Sequence, residues 1–222
     1  MNFDIYTFLL RFIVAIISLP IHECAHGYAA YRMGDYTAKR EGRLTLNPLM
    51  HFDVFGTIAM VLFGFGWAKP VPINVLNFEN PKKGMMISSL AGPMSNIGLA
   101  FISMVLYKLS YIPQYMGISG AFLSTVQMFL LYMITINITL GVFNLIPIPP
   151  LDGSRIATYF LPQRIYFKIM QYENLIFIGL IVALWFGVLD GPINFVSSTV
   201  TGVLDFITRP IDWLGAFVFR IY

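Results

Sequence analysis

The stretch Phe12 to Tyr31, FIVAIISLPIHECAHGYAAY, decides the fold, because it is apolar enough to cross a bilayer as one helix and carries a single formal charge, Glu23. About 20 predominantly apolar residues suffice for such a crossing. Inside it, His22-Glu23-Cys24-Ala25-His26 spells H-E-x-x-H. Residues four apart share one helix face, so the two imidazoles can hold one Zn²⁺ while the Glu between them reaches the water that the metal activates. A charge within a hydrocarbon-facing segment is costly, which marks Glu23 as functional. Cys24 lies two positions from His22, about 200° round a helix, and reads as a plain buried thiol.

Composition agrees with a membrane setting. Of the 222 residues 57% are hydrophobic, 16% aromatic and 11% charged, and mean hydropathy is +0.72. An average soluble domain carries roughly 25% charged residues, so a water-soluble globule is excluded. No internal repeat, low-complexity tract or Ser/Gly-rich linker divides the chain, and 1–222 reads as a single membrane-embedded domain with a catalytic core over about 5–155 and C-terminal helices over about 172–222. One cysteine excludes an intramolecular disulfide. The apolar run after Arg11 resembles a signal peptide, but His22 and Glu23 before Cys24 fit neither a cleavage site nor a lipoprotein box, so it reads as a retained span.

Uncharged runs set the remaining organisation. The expected fold is an all-α integral membrane protein of about four to six membrane-embedded helices, with a re-entrant or β-hairpin-like segment between the first two full spans. The first span covers Ile5 to Tyr31, the second Gly84 to Tyr107, the third Ala121 to Ile146 and a short fourth Asn174 to Leu189. Between the first two, Arg43 to Asn47 alternates with period two and predicts a strand. Val54 to Ala68 is uncharged and broken by glycines, which suits a re-entrant segment. Lys69 to Val75 has alternate prolines that forbid a helix and permit an extended edge strand. The tail, Pro192 to Tyr222, reads as an amphipathic helix lying in the interface or packing on the bundle.

Lys and Arg fall mainly in two loops: Arg32, Lys39, Arg40, Arg43, Lys69, Lys82 and Lys83 after the first span, and Arg155, Arg164 and Lys168 after the third. The loop between the second and third spans holds Lys108 alone. The two basic loops are therefore expected on the cytoplasmic side, with the N-terminus outside. The net charge of +3 is then a topology signal, and nucleic-acid binding has no support.

A catalytic zinc takes three protein ligands and keeps one position open, and H-E-x-x-H supplies only two. Asn144-Leu145-Ile146-Pro147-Ile148-Pro149-Pro150-Leu151-Asp152-Gly153 ends the third span on the side where His22 and His26 lie, and Asp152 is a suitable third ligand. The prolines unwind the backbone, which at membrane depth is tolerated only where it lines a cavity. The plainer alternative is a loop turn with Asp-Gly as a helix stop.

These motifs, with Gly92-Pro93-Met94-Ser95-Asn96 on the second span, resemble the site-2 protease family of intramembrane zinc metalloproteases. The likeness covers roughly Leu10 to Arg155 and includes the stretches Asn47-Pro48-Leu49-x-His51-x-Asp53 and Gly66-Trp67-Ala68-Lys69-Pro70-Val71-Pro72. It matches the minimal, core-only branch, which lacks PDZ and CBS domains. The resemblance implies one Zn²⁺ held by His22, His26 and Asp152, Glu23 as general acid and base, and Asn96 near the reacting carbonyl as a donor to the oxyanion or the substrate backbone. For Asn96 the competing reading is close helix packing with a cross-helix hydrogen bond. The expected substrates are single-pass membrane proteins, locally unwound for cleavage, in a prokaryotic plasma membrane. Asn144, Pro70 and Pro72 are the candidates to bind the unwound strand, the last two by offering a strand edge, for which the alternating stretch near Leu44 is the other candidate. His51 and Asp53 are expected mainly to hold their loop.

Two other classes share part of this pattern. One is a zinc-binding membrane protein without protease activity, or a metal transporter, against which Glu23 speaks. The other is a prenyl-peptidase-like enzyme whose third ligand is a downstream Glu, with Glu41, Glu79 and Glu173 as candidates.

Overall fold

The computed structural model of the chain describes residues 5–53, 56 and 68–219. Among them the regular structure is helical throughout. The long elements are α1 (Ile5–Arg32), α3 (Pro81–Leu109), α5 (Ala121–Asn144) and α9 (Asp190–Phe219), and shorter helices lie between them: α2 (Thr37–Arg40), α4 (Ile112–Tyr115), α6 (Asp152–Ala157), α7 (Gln163–Met170) and α8 (Glu173–Trp185). Three segments, Ile5–Arg32, Pro81–Gln114 and Ala121–Asn144, are long and apolar enough to cross a membrane, and a fourth is reached if Glu173–Trp185 and Asp190–Trp213, bent by 80°, count as one span. The chain is an all-helical, multi-pass membrane protein.

The central helix is α3, which packs against α1, α5, α6 and α9. Its start is set locally: the Asn80 side chain accepts the Lys83 N–H, and Pro81 occupies the first helical turn, where a missing N–H does no harm. Its inward face is built of small residues: Gly84, Ser88, Ser89, Gly92, Ala100 and Ser103 are all buried. Lipid offers apolar side chains no incentive to leave it, so close backbone approach over small residues is what holds membrane helices together. Ala100 and Met104 of α3 meet Ile134, Ile138 and Val142 of α5 and Leu204 of α9 in one buried cluster. At the far end of α3, Lys108 pairs with Asp205 at 2.8 Å and Asp212 at 2.6 Å and fastens α9 to the bundle.

The predicted first three spans match α1, α3 and α5, with α3 beginning three residues earlier than expected. The expected fourth span differs. The chain forms α8 of only 13 residues, about 20 Å at 1.5 Å per residue, and then turns at Gly187, whose φ of +67° is the left-handed conformation that ends a helix. The tail is the 30-residue α9, and Leu204 seats it on the bundle.

The predicted strand over Arg43 to Asn47 does not form; this stretch is irregular and leads into a single 3-10 turn, Pro48–Met50. The edge strand expected over Lys69 to Val75 does not form either: 69–74 has no ladder, and Val75 opens a 3-10 turn, Val75–Asn77. The reason is chemical. Pro70 and Pro72 have no N–H to give, and the carbonyls of Lys69 and Pro70 accept from the Arg43 guanidinium at 2.9 and 3.2 Å. One isolated antiparallel bridge, Phe52 to Ala68, lies between these two segments in the sequence and belongs to neither. The re-entrant segment expected over Val54 to Ala68 lies, apart from Gly56 and Ala68, outside the described residues.

Candidate metal centre

The H-E-x-x-H run lies in the second half of α1, two residues after the buried Pro20. His22 and His26 are 5% and 6% exposed, and their Nε2 atoms stand 3.0 Å apart. The segment after α5 brings in Asp152: its Oδ2 lies 3.3 Å from His22 Nε2 and 3.1 Å from His26 Nε2. Asp152 opens α6 and does not stop a helix. Its neighbour has to be glycine, since a Cβ at Gly153 would sit 2.2 Å from the Leu145 carbonyl oxygen, so the loop can fold back on the end of α5 only without a side chain there.

These three residues form a cluster of donor atoms all within 4.8 Å of one another. Ligands 2.0–2.1 Å from a tetrahedral zinc stand about 3.3 Å from each other, and the three observed separations, 3.0 to 3.3 Å, fit that arrangement. Two imidazoles and one carboxylate match the donor set of a catalytic zinc with its fourth position open. Glu41, Glu79, Glu173 and Cys24 do not join the cluster.

Helix α3 supplies the wall behind the histidines. His26 Nδ1 donates to the Ser88 carbonyl at 2.7 Å, which leaves its Nε2 lone pair facing the cluster. Gly92 sits between the two rings: a Cβ there would fall 2.3 Å from His26 Nε2 and 2.7 Å from His22 Cε1. Asn96, fully buried, places its amide Nδ2 3.1 Å from His22 Nδ1. Ser88, Gly92 and Asn96 are four apart, so one stripe of α3 touches both imidazoles.

Glu23 accepts the backbone N–H of Val71 at 2.8 Å. That contact brings the Lys69 to Asn74 segment beside the metal cluster, and the segment is held from several sides. Arg43 binds its first two carbonyls, the Lys69 N–H donates to the His51 carbonyl at 2.8 Å, and the Asn74 N–H donates to Asp35 at 2.7 Å. His51 is fully buried and bonds the Thr45 carbonyl through Nε2, while Asp53 accepts the Gly56 N–H, so both hold the loop. Pro70 and Pro72 flank Val71. Asn144 Nδ2 bonds the Leu140 carbonyl of its own helix at 3.0 Å.

A relative described as "Putative zinc metalloprotease YwhC", from Bacillus subtilis (strain 168), is 44% identical over 170 residues, 77% of this chain and 77% of its own length. The chain belongs to peptidase family M50, the site-2 protease family. The M50 family model matches residues 111–186, which include Asp152. "Putative zinc metalloprotease MJ0611" of Methanocaldococcus jannaschii is 28% identical over 71% of this chain and 74% of its own length. "Putative zinc metalloprotease Rip2" of Mycolicibacterium smegmatis is 31% identical over 62% of this chain and 52% of its own length. No solved structure is a significant match. M50 membership and the His-His-Asp cluster make Zn²⁺ the cofactor of this protein.

Several residues around the cluster escaped the sequence reading. Ser88 and Val71 act through backbone groups, which carry no side-chain signature. Gly92 belonged to a recognised motif, but its steric purpose appears only when α1 and α3 are packed. Asp35 carries no local signal in the polar stretch after the first span, and Arg43 stands out there only as a basic-loop residue at the start of the expected strand. One signal was present: the stripe Ser88, Gly92, Asn96, Ala100 and Met104 at intervals of four identifies the face of α3 turned inward.

Proposed function

We propose that this M50 peptidase is an intramembrane zinc endopeptidase that hydrolyses peptide bonds within or near the transmembrane segment of single-pass membrane proteins. The observation that carries this reading is the convergence of His22 and His26, from a membrane-length apolar helix, with Asp152 from the loop after α5. The relatives' descriptions as zinc metalloproteases support it.

When bound, zinc supplies Lewis acidity that polarises a carbonyl and acidifies water. His22, His26 and Asp152 would hold it, two from one helix face and one from the loop after α5. Glu23 takes the proton of the attacking water as its oxygen bonds to the carbonyl carbon, and returns that proton to the amide nitrogen as the C–N bond breaks. The Val71 N–H fixes the Glu23 carboxylate for both transfers. Burial of the histidines excludes bulk water, which strengthens each of these electrostatic interactions.

A helical substrate keeps its amides inside its own hydrogen-bond ladder and must unwind before a carbonyl can be reached. The extended segment carrying Pro70 and Pro72 lies beside Glu23 and is the element best placed to receive the unwound strand, and Asn144 stands at the end of α5 as a further contact. The excess of Lys and Arg in the loops after α1 and α5 supports an active site towards the cytoplasmic side with the N-terminus outside, and a prokaryotic plasma membrane is the setting proposed for it.

Quantitative proteomics of membrane-protein fragments in cells carrying the wild-type or the Glu23→Gln protein tests this function. Fragments cut inside membrane spans should vanish in the variant while purified variant protein keeps its zinc. An unchanged fragment pattern would leave a zinc-binding membrane protein without protease activity.

A further inference from the structure

We propose that Asn96 is a positioning residue of the metal centre: its side-chain oxygen accepts the Nδ1–H of His22 and locks that imidazole in the tautomer that leaves Nε2 free for zinc. The inference rests on the zinc-peptidase reading above and assigns Asn96 a task other than donation to substrate.

The neighbours of His22 identify its ligating atom. Its Nε2 faces His26 Nε2 at 3.0 Å and Asp152 Oδ2 at 3.3 Å, so Nε2 is its ligating atom. A neutral imidazole that offers the Nε2 lone pair carries its hydrogen on Nδ1 and is a donor there. Yet the atom facing Nδ1 is Asn96 Nδ2, at 3.1 Å, which can only donate. The other end of the same amide, Asn96 Oδ1, is buried without a hydrogen-bond partner. Two donors thus face each other beside an orphaned acceptor.

Amide oxygen and nitrogen have nearly the same shape, and their assignment follows from the hydrogen-bond network. A half-turn of the Asn96 amide gives Nδ1–H an acceptor and removes the orphaned oxygen, leaving one NH₂ group for a water to satisfy. The two amide orientations correspond to two states of His22. With nitrogen towards the ring, Nδ1 must be the acceptor and Nε2 carries the hydrogen, so zinc is excluded. With oxygen towards the ring, Nε2 is free.

His26 shows the same design with no ambiguity. Its Nδ1 faces the Ser88 carbonyl at 2.7 Å, an acceptor only, so its Nε2 is free for metal. Ser88 and Asn96 stand eight residues apart on one face of α3, with Gly92 between them seating both rings. Each ligating imidazole therefore has its own orienting acceptor on the same helix. Histidine ligands to zinc generally donate their second N–H to such a partner, and its removal weakens metal binding by about 10- to 100-fold.

Zinc affinity of the purified full chain, measured by competition with a chromophoric chelator, separates the possibilities. Asn96→Leu, close in shape and lacking an acceptor, should bind zinc about 10- to 100-fold more weakly than wild type. Asn96→Asp, which keeps the acceptor and loses the NH₂, should restore tight binding and the visible spectrum of the Co²⁺-substituted wild type. Equal zinc affinity in wild type and Asn96→Leu overturns the proposal, as does an Asn96→Asp protein as weak as Asn96→Leu. If Asn96→Leu fails to fold, ¹⁵N-histidine NMR of the zinc-loaded wild type decides: a protonated Nδ1 on His22 is expected, and an unprotonated one overturns the assignment. A wild-type chain that binds no zinc at all removes the underlying metal reading and the proposal with it, a result distinct from all of these.

Discussion

The Val71 backbone N–H and the Glu23 carboxylate are joined by a 2.8 Å hydrogen bond, which ties the extended Lys69 to Asn74 segment to the single charge of the Phe12 to Tyr31 stretch. The contact links the two parts of the fold that the chemistry needs together. One is the helix that carries His22, Glu23 and His26, and the other is the segment Lys69 to Asn74. If Glu23 is the base, how well it is aimed depends on how firmly that segment is held.

Arg43 is the main clamp on the strand. It is buried and donates to the carbonyls of Lys69 and Pro70, next to Val71. Replacement by Met keeps much of the volume and removes both bonds. Turnover by Arg43→Met should fall on the order of 10- to 100-fold, the usual penalty for a small misplacement of a catalytic group, while zinc content stays at the wild-type level. Peptidase assays paired with metal analysis check this, and unaltered turnover would disconnect the clamp from Glu23.

Gly92 gives a prediction of opposite sign to local propensity. Ala for Gly in a helix interior favours the helix by up to about 1 kcal/mol. Here the new Cβ would enter within 2.3 Å of His26 Nε2. Gly92→Ala should therefore keep its helical circular dichroism and lose most of its zinc. Full zinc occupancy in that variant would mean the histidines have room that the packing of α1 on α3 denies them.

Asp35 governs a pH dependence of stability. It lies past the end of α1; burial favours its neutral form, and hydrogen bonds from Thr37, Asn77 and Asn74 outweigh this and lower its pKa. A carboxyl whose folded value is below its unfolded value of about 3.9 contributes stability that is present above that value and lost as pH falls through the folded one. Asp35→Asn should lower stability near neutral pH by about 1.5–3 kcal/mol, the range for hydrogen bonds to a charged group. The gap between variant and wild type should close as pH drops below about 4. Thermal melts across pH 3 to 7 check it, and a gap that widens on acidification would reverse the sign.

The parts of this molecule legible in sequence are those written in local spacing. His22 and His26 are one turn apart, and a charge in an apolar run stands out, so the candidate ligand pair and candidate base are visible without a fold. Asp152 could be joined to them because both chain segments end on the same side of the bundle. Asn96 was selected, but its contact with a ligating imidazole depends on the packing of α3 on α1, which no spacing encodes. The missing strand over Arg43 to Asn47 shows the opposite failure: alternation was present, but proline and a guanidinium had already removed the groups a ladder needs. The bend after α8 was foreshadowed by Gly187 within an apolar run, yet hydropathy alone treats such a run as continuous.

Zinc content of the purified chain and of Asp152→Ala, measured by plasma mass spectrometry after removal of loosely bound metal, is the most direct test of a shared ion between α1 and the loop after α5. One zinc per wild-type chain and little or none in Asp152→Ala is the expected result. A metal-free wild type, or an Asp152→Ala protein that keeps its full zinc, would contradict the whole account of the site.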